Sequence, residues 1–335
     1  MQCSACYRGT KQDFCSKCSN ELFDGEKVSA VLDFPSPKAD NLAEFQKHTT
    51  RLSISGVQLK YSLRRENKEL VMTQTAGEYI IKPALASTQL AAIKDSPENE
   101  HLTMQIARQL FRIRTAANGI IHFSDGEPAY ITRRFDLKSD QTKYQQEDFA
   151  QLLNRTSVSH GQNYKYDATY EEIGTLIKMY VPAAIPALEE LFRLVVFNYV
   201  VGNGDAHLRN FSLIQLQTGE YRLTPAYDLM STKLHTPYEN DIALELYEGC
   251  LEAPFYSAYG YYGRPDFIEF AKRLAITEKR ASGILDNYIN AQEKMTEIIQ
   301  KSGLSPESKN SYISTVKDRL FRIIDMTKKS QANKK

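Results

Sequence analysis

An aspartate, an asparagine five residues on and a second aspartate eighteen residues further form the set best able to do chemistry in this chain. Asp205 and Asn210 stand in Val200-Val-Gly-Asn-Gly-Asp-Ala-His-Leu-Arg-Asn-Phe-Ser212, and Asp228 in Thr224-Pro-Ala-Tyr-Asp-Leu-Met-Ser231. In phosphoryl transfer an Asp of this kind orients or deprotonates the acceptor hydroxyl, while an Asn and a later Asp hold Mg²⁺ against the nucleotide phosphates. The Asp-x4-Asn spacing matches a kinase catalytic loop. The neighbouring letters do not, since His-Arg is missing before Asp205 and Asp-Leu-Met stands where Asp-Phe-Gly is usual. An Asx-rich turn capping a helix, with Asp228 as an ordinary loop acid, accounts for the spacing as well.

A second set lies at the N-terminus. Cys3-x2-Cys6 and Cys15-x2-Cys18 are separated by eight residues. Two such pairs can give four thiolates to one tetrahedral Zn²⁺. Four cysteine ligands leave no open position, so the site would be structural. So short and weakly apolar a segment could hardly order itself without the metal. Disulfides are disfavoured in a cytosolic chain, and redox thiols are the other alternative. Cys250 reads as a lone structural thiol.

These residues need elements to position them. The run 186–201 is apolar almost all round, predicts a buried helix, and delivers the chain to Asp205. Short strands at 213–216 and 221–223, turned by Thr218-Gly219, return it to Asp228. Upstream, Ser53, Ser55 and Gly56 precede an alternating strand pattern in Val57, Leu59, Tyr61 and Leu63. Such a loop can aim backbone N–H groups at phosphate oxygens, though it lacks the P-loop pattern and is also what a plain β-turn looks like. Strands at 70–73 and 78–82 follow. The second places Lys82 at its end, where a lysine can reach a nucleotide phosphate or simply snorkel to water. Ser96 as N-cap and Pro97 at N1 open a helix with the stripe Leu102, Ile106, Leu110. Glu98 or Glu100 could pair with Lys82, or serve only the helix dipole.

A hairpin at 119–123 and 129–135 leads to a helix at 146–153. The exit at Arg133 to Phe135 is where a hinge would read the adenine edge. The polar stretch 155–166 reads as mobile, and either shapes acceptor binding or is a surface loop. Helices are expected at 171–180, 266–274, 278–301 and 306–327. The stretch 248–263 reads as irregular, and 328–335 as a basic disordered tail.

The chain has 335 residues, 42% hydrophobic and 25% charged, with 20 Tyr and a net charge of +1. That is room for two lobes of an ordinary globular protein, without the field that would recruit nucleic acid. No run approaches the ~20 apolar residues of a membrane helix. No secretory signal is visible, and a cytoplasmic protein is expected.

Several strings together resemble the HipA family of bacterial serine/threonine kinases, the toxins of toxin–antitoxin systems. They are Ser53-Ile-Ser-Gly-Val-Gln-Leu-Lys60, Tyr79-Ile-Ile-Lys-Pro83, Asn99-Glu100, Arg134-Phe-Asp136, Glu147-Asp-Phe149, Gly202-Asn-Gly-Asp-Ala-His-Leu-Arg-Asn-Phe-Ser212 and Thr224-Pro-Ala-Tyr-Asp-Leu229. The resemblance spans about residues 50–330 and implies an α+β bilobal protein-kinase-like fold, with a small β-rich N-lobe and a mostly helical C-lobe. The expected division is a four-cysteine, zinc-knuckle-like segment at 1–25, the N-lobe at 26–135, the C-lobe at 136–327 and the tail.

The resemblance further implies that Asp205 engages the acceptor hydroxyl, Asn210 and Asp228 bind Mg²⁺, and Lys82 binds the ATP phosphates. Ser55, Gly56, Val57, Gln58 and Lys60 fall on the loop over the nucleotide, and Arg133 and Phe135 on the hinge. His207 and Tyr227 lie near the nucleotide. The family's loop carries an autophosphorylation serine, which Ser53 matches, with Ser55 a second candidate. Family members phosphorylate aminoacyl-tRNA synthetases and pair with a HipB-like DNA-binding antitoxin, so nucleic acid is met only through that partner.

Only about fifty residues precede the Ser53 loop, as in the short form often called HipT, whose missing subdomain is a separate small HipS-like protein. The cysteines are not part of the kinase pattern. A same-fold kinase for a small-molecule or lipid acceptor, and a catalytically silent regulatory module, are the alternatives.

Overall fold

The computed structural model describes residues 1–38, 41, 59–85 and 90–324. The expected loop residues Ser53, Ser55, Gly56, Val57 and Gln58 lie outside the described residues, as does the tail at 328–335.

Alternation of apolar residues builds the first sheet. Strands β1 (Tyr61–Glu66), β2 (Glu69–Met72), β3 (Tyr79–Pro83), β4 (Asn118–His122) and β5 (Pro128–Arg133) lie in the order β2-β1-β3-β5-β4, each pair antiparallel. Successive side chains of a strand point to opposite faces. On β3, Tyr79 and Ile81 enter one core with Leu63, Ile121, Ala129 and Ile131. Lys82, paired in register with Tyr130, takes the opposite phase. That face is covered by helix α2 (Ser96–Phe111), which packs on β3, β4 and β5. Pro97 sits in its first turn, but Ser96 is not its cap. Ser96 is already helical, and its hydroxyl donates to Ile93 O (2.8 Å).

The cysteine segment covers the other face. Phe14, Leu22 and Phe23, the latter two from α1 (Ser16–Phe23), share the core of β1, β3, β4 and β5. The segment also closes an edge of the sheet, where Ile120 N–H donates to Ser4 O (2.8 Å).

The remaining chain is largely helical around a second core. At its centre is a buried helix, Ala184–Val201. Tyr170–Tyr180, Arg264–Arg273, Glu278–Asn290, Gln292–Lys301 and Pro306–Arg322 are the other long helices.

Further expectations are corrected, among them that 248–263 is irregular, since Cys250–Glu252 forms a 3-10 turn and Pro254–Tyr259 a short helix. Residues 146–148 form a strand, not the start of a helix, because Gln146, Glu147 and Asp148 pair with Ile214, Leu213 and Ser212. The helix begins at Phe149, where Asp148 accepts Gln151 N–H as its cap. The single helix expected at 278–301 is two, divided at Ala291. The stretch 155–166 is ordered into Ser157–His160 and a 3-10 turn, Tyr164–Tyr166.

Candidate active site

The Asp205 loop is assembled by the end of the buried helix. Gly202 takes the left-handed backbone there (φ 68) and closes the last turn, a conformation that favours glycine. Asn203 is buried, donates to Asn198 Oδ1 (3.0 Å) and accepts Asp205 N–H (3.2 Å). A Cβ at residue 204 would meet Asn240 O at 2.6 Å, so close backbone approach holds this position to glycine. Gly204 N–H donates to Thr232 Oγ1 (2.8 Å), and Lys233 N–H to Gly202 O (3.1 Å). The Asp205 loop is thus tied to the segment just past Asp228.

Asn210 ends a 3-10 turn, Leu208–Asn210. The hairpin Ser212–Gln215 and Tyr221–Leu223 then turns the chain back, with Thr224 N–H bonded to Ser212 O (3.0 Å). Tyr227 locks this return. Its single hydroxyl proton goes to Arg209 O (2.9 Å), so the Ser212 hydroxyl at 2.6 Å donates to it. Asp228 has φ 54. Aspartate tolerates this region better than most residues, and such backbone concentrates at functional sites.

Lys82 joins the lobes. Its Nζ lies 2.5 Å from Glu100 Oε1 and also bonds Asp228 Oδ1. It sits 5.3 Å from the Tyr130 ring centroid, with its side chain 4% exposed. Lys60 reaches Asp228 Oδ2 at 3.5 Å. Burial opposes charge at both Lys82 and Asp228, and pairing outweighs it. Asp228 and then Glu100 hold the Lys82 proton above the ordinary lysine value. Lys60 and Lys82 hold the Asp228 carboxyl well below the usual carboxylate range.

Helix phase chooses the partner of Lys82. Glu98 and Glu100 are two positions apart and so face different ways. Glu98 turns away and accepts from Tyr7 OH and Gly303 N–H, both at 2.7 Å. Asn99 staples the same helix to the far lobe, bonding Ser231 N–H (3.1 Å) and Ser231 O (3.0 Å).

Asp205 is half exposed, and three side chains converge on its Oδ1. The Tyr166 hydroxyl donates to it, Lys165 Nζ lies at 3.8 Å and His207 Nε2 at 3.9 Å. Burial pushes His207 down to about 4, so its imidazole is neutral beside Asp205. Sequence reasoning left Lys165 and Tyr166 without a role, since an aperiodic polar stretch gives no sign of what it will touch. Asn99 carried a signal, a polar residue on the apolar side of a helix beside Glu100.

Of the expected hinge residues, Phe135 stacks near Tyr227 at 5.8 Å between centroids. Arg133 is engaged elsewhere. Its guanidinium makes a fork-to-fork pair with Asp24 (2.6 and 2.7 Å), and its N–H donates to Ala117 O (2.8 Å). A groove of about 920 Å³ opens beside Tyr166, with Asp167, Glu172, Glu239 and Glu248 on its walls.

The four N-terminal cysteines form a second constellation. Their Sγ atoms all lie within 4.8 Å of one another, with Cys6 and Cys15 at 3.8 Å. A tetrahedral ion with Zn–S of about 2.3 Å requires sulfurs about 3.8 Å apart. Cys15 N–H donates to Cys3 Sγ (3.2 Å), the kind of bond that orients a thiolate ligand. Burial pushes the Cys6 thiol up to about 11, which a divalent cation at the centre would reverse. The donor set therefore fits zinc.

Comparison with known proteins places the chain. Residues 52–296 match the family model described as the HipA-like C-terminal domain. The chain is 28% identical over 284 residues to a Haemophilus influenzae protein that carries a provisional kinase name, covering 80% of this chain and 81% of that one. It is 26% identical over 213 residues to the serine/threonine-protein kinase toxin HipA of Shewanella oneidensis, covering 58% of this chain and 47% of the toxin. It therefore spans about half of that relative. The HipA–HipB–operator DNA complex of Shewanella oneidensis contains a chain that superposes with a TM-score of 0.61 at 19% identity, over 86% of this chain and 70% of that one. This is a likeness of α+β fold. No helix among the described residues is long and apolar enough to cross a membrane.

Proposed function

The chain belongs to the HipA-like C-terminal domain family, and on that premise we propose that it is an ATP- and Mg²⁺-dependent protein serine/threonine kinase acting as a toxin. The observation that carries this is buried Lys82 held between Glu100 on a helix and Asp228 on the far lobe. Such a lysine–glutamate pair beside a metal-binding aspartate is the arrangement that positions ATP phosphates. Two lysines and two carboxylates balance one another here. A nucleotide would exchange carboxylate for phosphate oxygens on Lys60 and Lys82.

Asp228 and the Asn210 amide oxygen offer the hard oxygen donors that Mg²⁺ requires. When bound, the ion neutralises charge on the phosphates. Asp205 takes the proton of the acceptor hydroxyl as the new oxygen–phosphorus bond forms and the bond to the ADP oxygen breaks. His207, kept neutral, adds no competing cation at Asp205. Tyr227 and Phe135 shape the nucleotide side of the cleft.

The acceptor is proposed to be a protein, an aminoacyl-tRNA synthetase as the family resemblance implies, with Ser53 or Ser55 as the site of autophosphorylation. Neutralisation would come from a HipB-like antitoxin, as in the complex of the Shewanella relative, or from a small HipS-like protein.

Intact-mass and peptide mass spectrometry after incubation with ATP and Mg²⁺ tests this. Wild type is expected to carry phosphate at Ser53 or Ser55, and Asp228→Asn none. A wild-type protein that binds ATP yet transfers no phosphate to itself or to any synthetase would overturn it.

Tyr166 adds a second expectation. Its hydroxyl occupies the Asp205 oxygen that an acceptor hydroxyl needs. A hydrogen bond to a charged group is worth about 1.5–3 kcal/mol, so Tyr166→Phe is expected to raise the initial rate of phosphate incorporation roughly tenfold. A fall in rate would make Tyr166 a positioning residue for Asp205 instead.

A further inference from the structure

The cysteine segment touches both elements that carry the Lys82–Glu100 pair, strand β3 and helix α2. On the sheet side, Phe23 packs 5.6 Å from Tyr79 of β3, the strand that carries Lys82. Asp24 grips Arg133 of β5, and Ser4 O holds Ile120 of β4. On the helix side, Tyr7 OH donates to Glu98 (2.7 Å), and the Tyr7 ring packs on His101 at 5.1 Å. Gln109 Nε2 donates to Cys6 O (3.2 Å), and Arg108 pairs with Glu21 (2.5 Å). These contacts span α2 from its first turn to its last. The segment thus wraps one edge of the sheet and joins its outer face to the helix on its inner face.

Each contact depends on the cysteines. Ser4 and Tyr7 belong to the first knuckle, and Cys6 O is itself an acceptor. Phe14 stands beside Cys15, and α1, carrying Glu21 and Phe23, starts at the second pair. Tyr7 holds a left-handed backbone (φ 60), a conformation that a bulky residue adopts only where its surroundings impose it. Another face of α2 is secured differently. Asp95, Asn99 and Thr103 bond Ser305, Ser231 and Tyr312 of the helical lobe. The helix is thus held to the helical lobe, and the cysteine segment adds a second tie to the sheet beside the direct packing of α2 on it, where His101 and Gln105 bond Asn118 of β4 (2.8 and 3.0 Å).

We propose that Zn²⁺ held by Cys3, Cys6, Cys15 and Cys18 is a clamp that sets helix α2 against strand β3, so that Glu100 meets Lys82 and phosphotransfer depends on zinc occupancy. The second half of this rests on the kinase function proposed above. Loss of the metal loosens the knuckles, the helix keeps its lobe, and the sheet carrying Lys82 drifts from Glu100. A displacement near 1 Å at a reacting site can cost on the order of 10²-fold in rate.

The test uses the full-length protein. Metal analysis is expected to find one zinc per chain. After the zinc is stripped with a strong chelator under reducing conditions, amide hydrogen exchange is expected to rise in 96–111 and 118–122. Exchange in 184–201 is expected to stay as before, and added Zn²⁺, but not Mg²⁺, to restore protection. The initial rate of phosphate incorporation is expected to fall tenfold or more and to recover with zinc. Because Cys→Ser variants can fail to fold, Tyr7→Phe is the second probe. It should keep its zinc, exchange faster at the start of 96–111 and lose part of the rate.

Protein isolated without zinc, or stripped protein matching the zinc form in exchange at 96–111 and in rate, would overturn the clamp. Zinc-dependent protection in a protein that transfers no phosphate would overturn the kinase function and leave the metal-held geometry standing.

Discussion

Asp205→Asn is expected to lower ATP-dependent phosphate incorporation by on the order of 10²- to 10⁴-fold, the range supplied by a positioned general base. The substitution is nearly isosteric and removes only the charge that would take the acceptor proton. Its cost to folding should be small. The Asp205 side chain is 46% exposed, and its contacts are the Tyr166 hydroxyl, a distant Lys165 and neutral His207. Changes at such exposed positions usually stay within about 0.5 kcal/mol. Initial rates measured beside thermal melting curves separate the two effects. A variant that melts normally and keeps its rate within tenfold of wild type would remove Asp205 from the chemistry.

Lys82→Met should damage both activity and stability. Removing one partner of a buried ion pair costs about 3–5 kcal/mol, because the other charge is left unpaired. Here Glu100 is fully buried, and burial already pushes its carboxyl up against the pull of Lys82. Urea unfolding of wild type and Lys82→Met checks this, and pH gives the sign. The folded value of Lys82 is raised, so its stabilisation is complete below the ordinary lysine value and is lost as pH rises through the folded one. The folded value of Asp228 is lowered, so its share is present above the ordinary aspartate value and disappears as pH falls through the folded one.

The stability gap between the two proteins should therefore be widest at neutral pH. It should narrow as pH falls, first as the unpaired Glu100 of the variant, raised above the ordinary glutamate value, takes up a proton, and then below about pH 4, the ordinary aspartate range, as the Asp228 share is lost. A gap that does not change with pH would mean that Lys82 acts by packing alone. Adding Glu100→Gln to Lys82→Met should recover part of the stability and none of the activity, since the ammonium proposed to bind phosphate stays missing.

Much of the candidate site was readable along the chain because its residues are marked by order and spacing. Asp205, Asn210 and Asp228 follow a buried helix, a short loop and a hairpin, and the strand ending in Lys82 announces itself by alternation. The four cysteines were equally plain, since two Cys-x2-Cys pairs need no fold to be recognised. Choosing Glu100 over Glu98 was harder, because both fit the first turn and the choice depends on which face of the helix meets the sheet. The misread stretch at 146–148 has the same origin. Gln-Glu-Asp suits a helix locally, and the strand Ser212–Gln215 claims it from sixty-odd residues away.

The sequence by itself determined the types of the candidate site residues, their order and most of the elements that bear them, because these are set by residue identity and local periodicity. Tertiary structure alone decided that Lys60 joins Lys82 on Asp228, that Tyr166 and Lys165 close on Asp205, that Asn99 pins the helix to Ser231, and that the cysteine segment grips both the sheet and the helix. Each of these joins residues far apart in the chain through the packing of two cores. No pattern of neighbouring residues encodes such a meeting, since the burial that makes it favourable exists only once the lobes have formed.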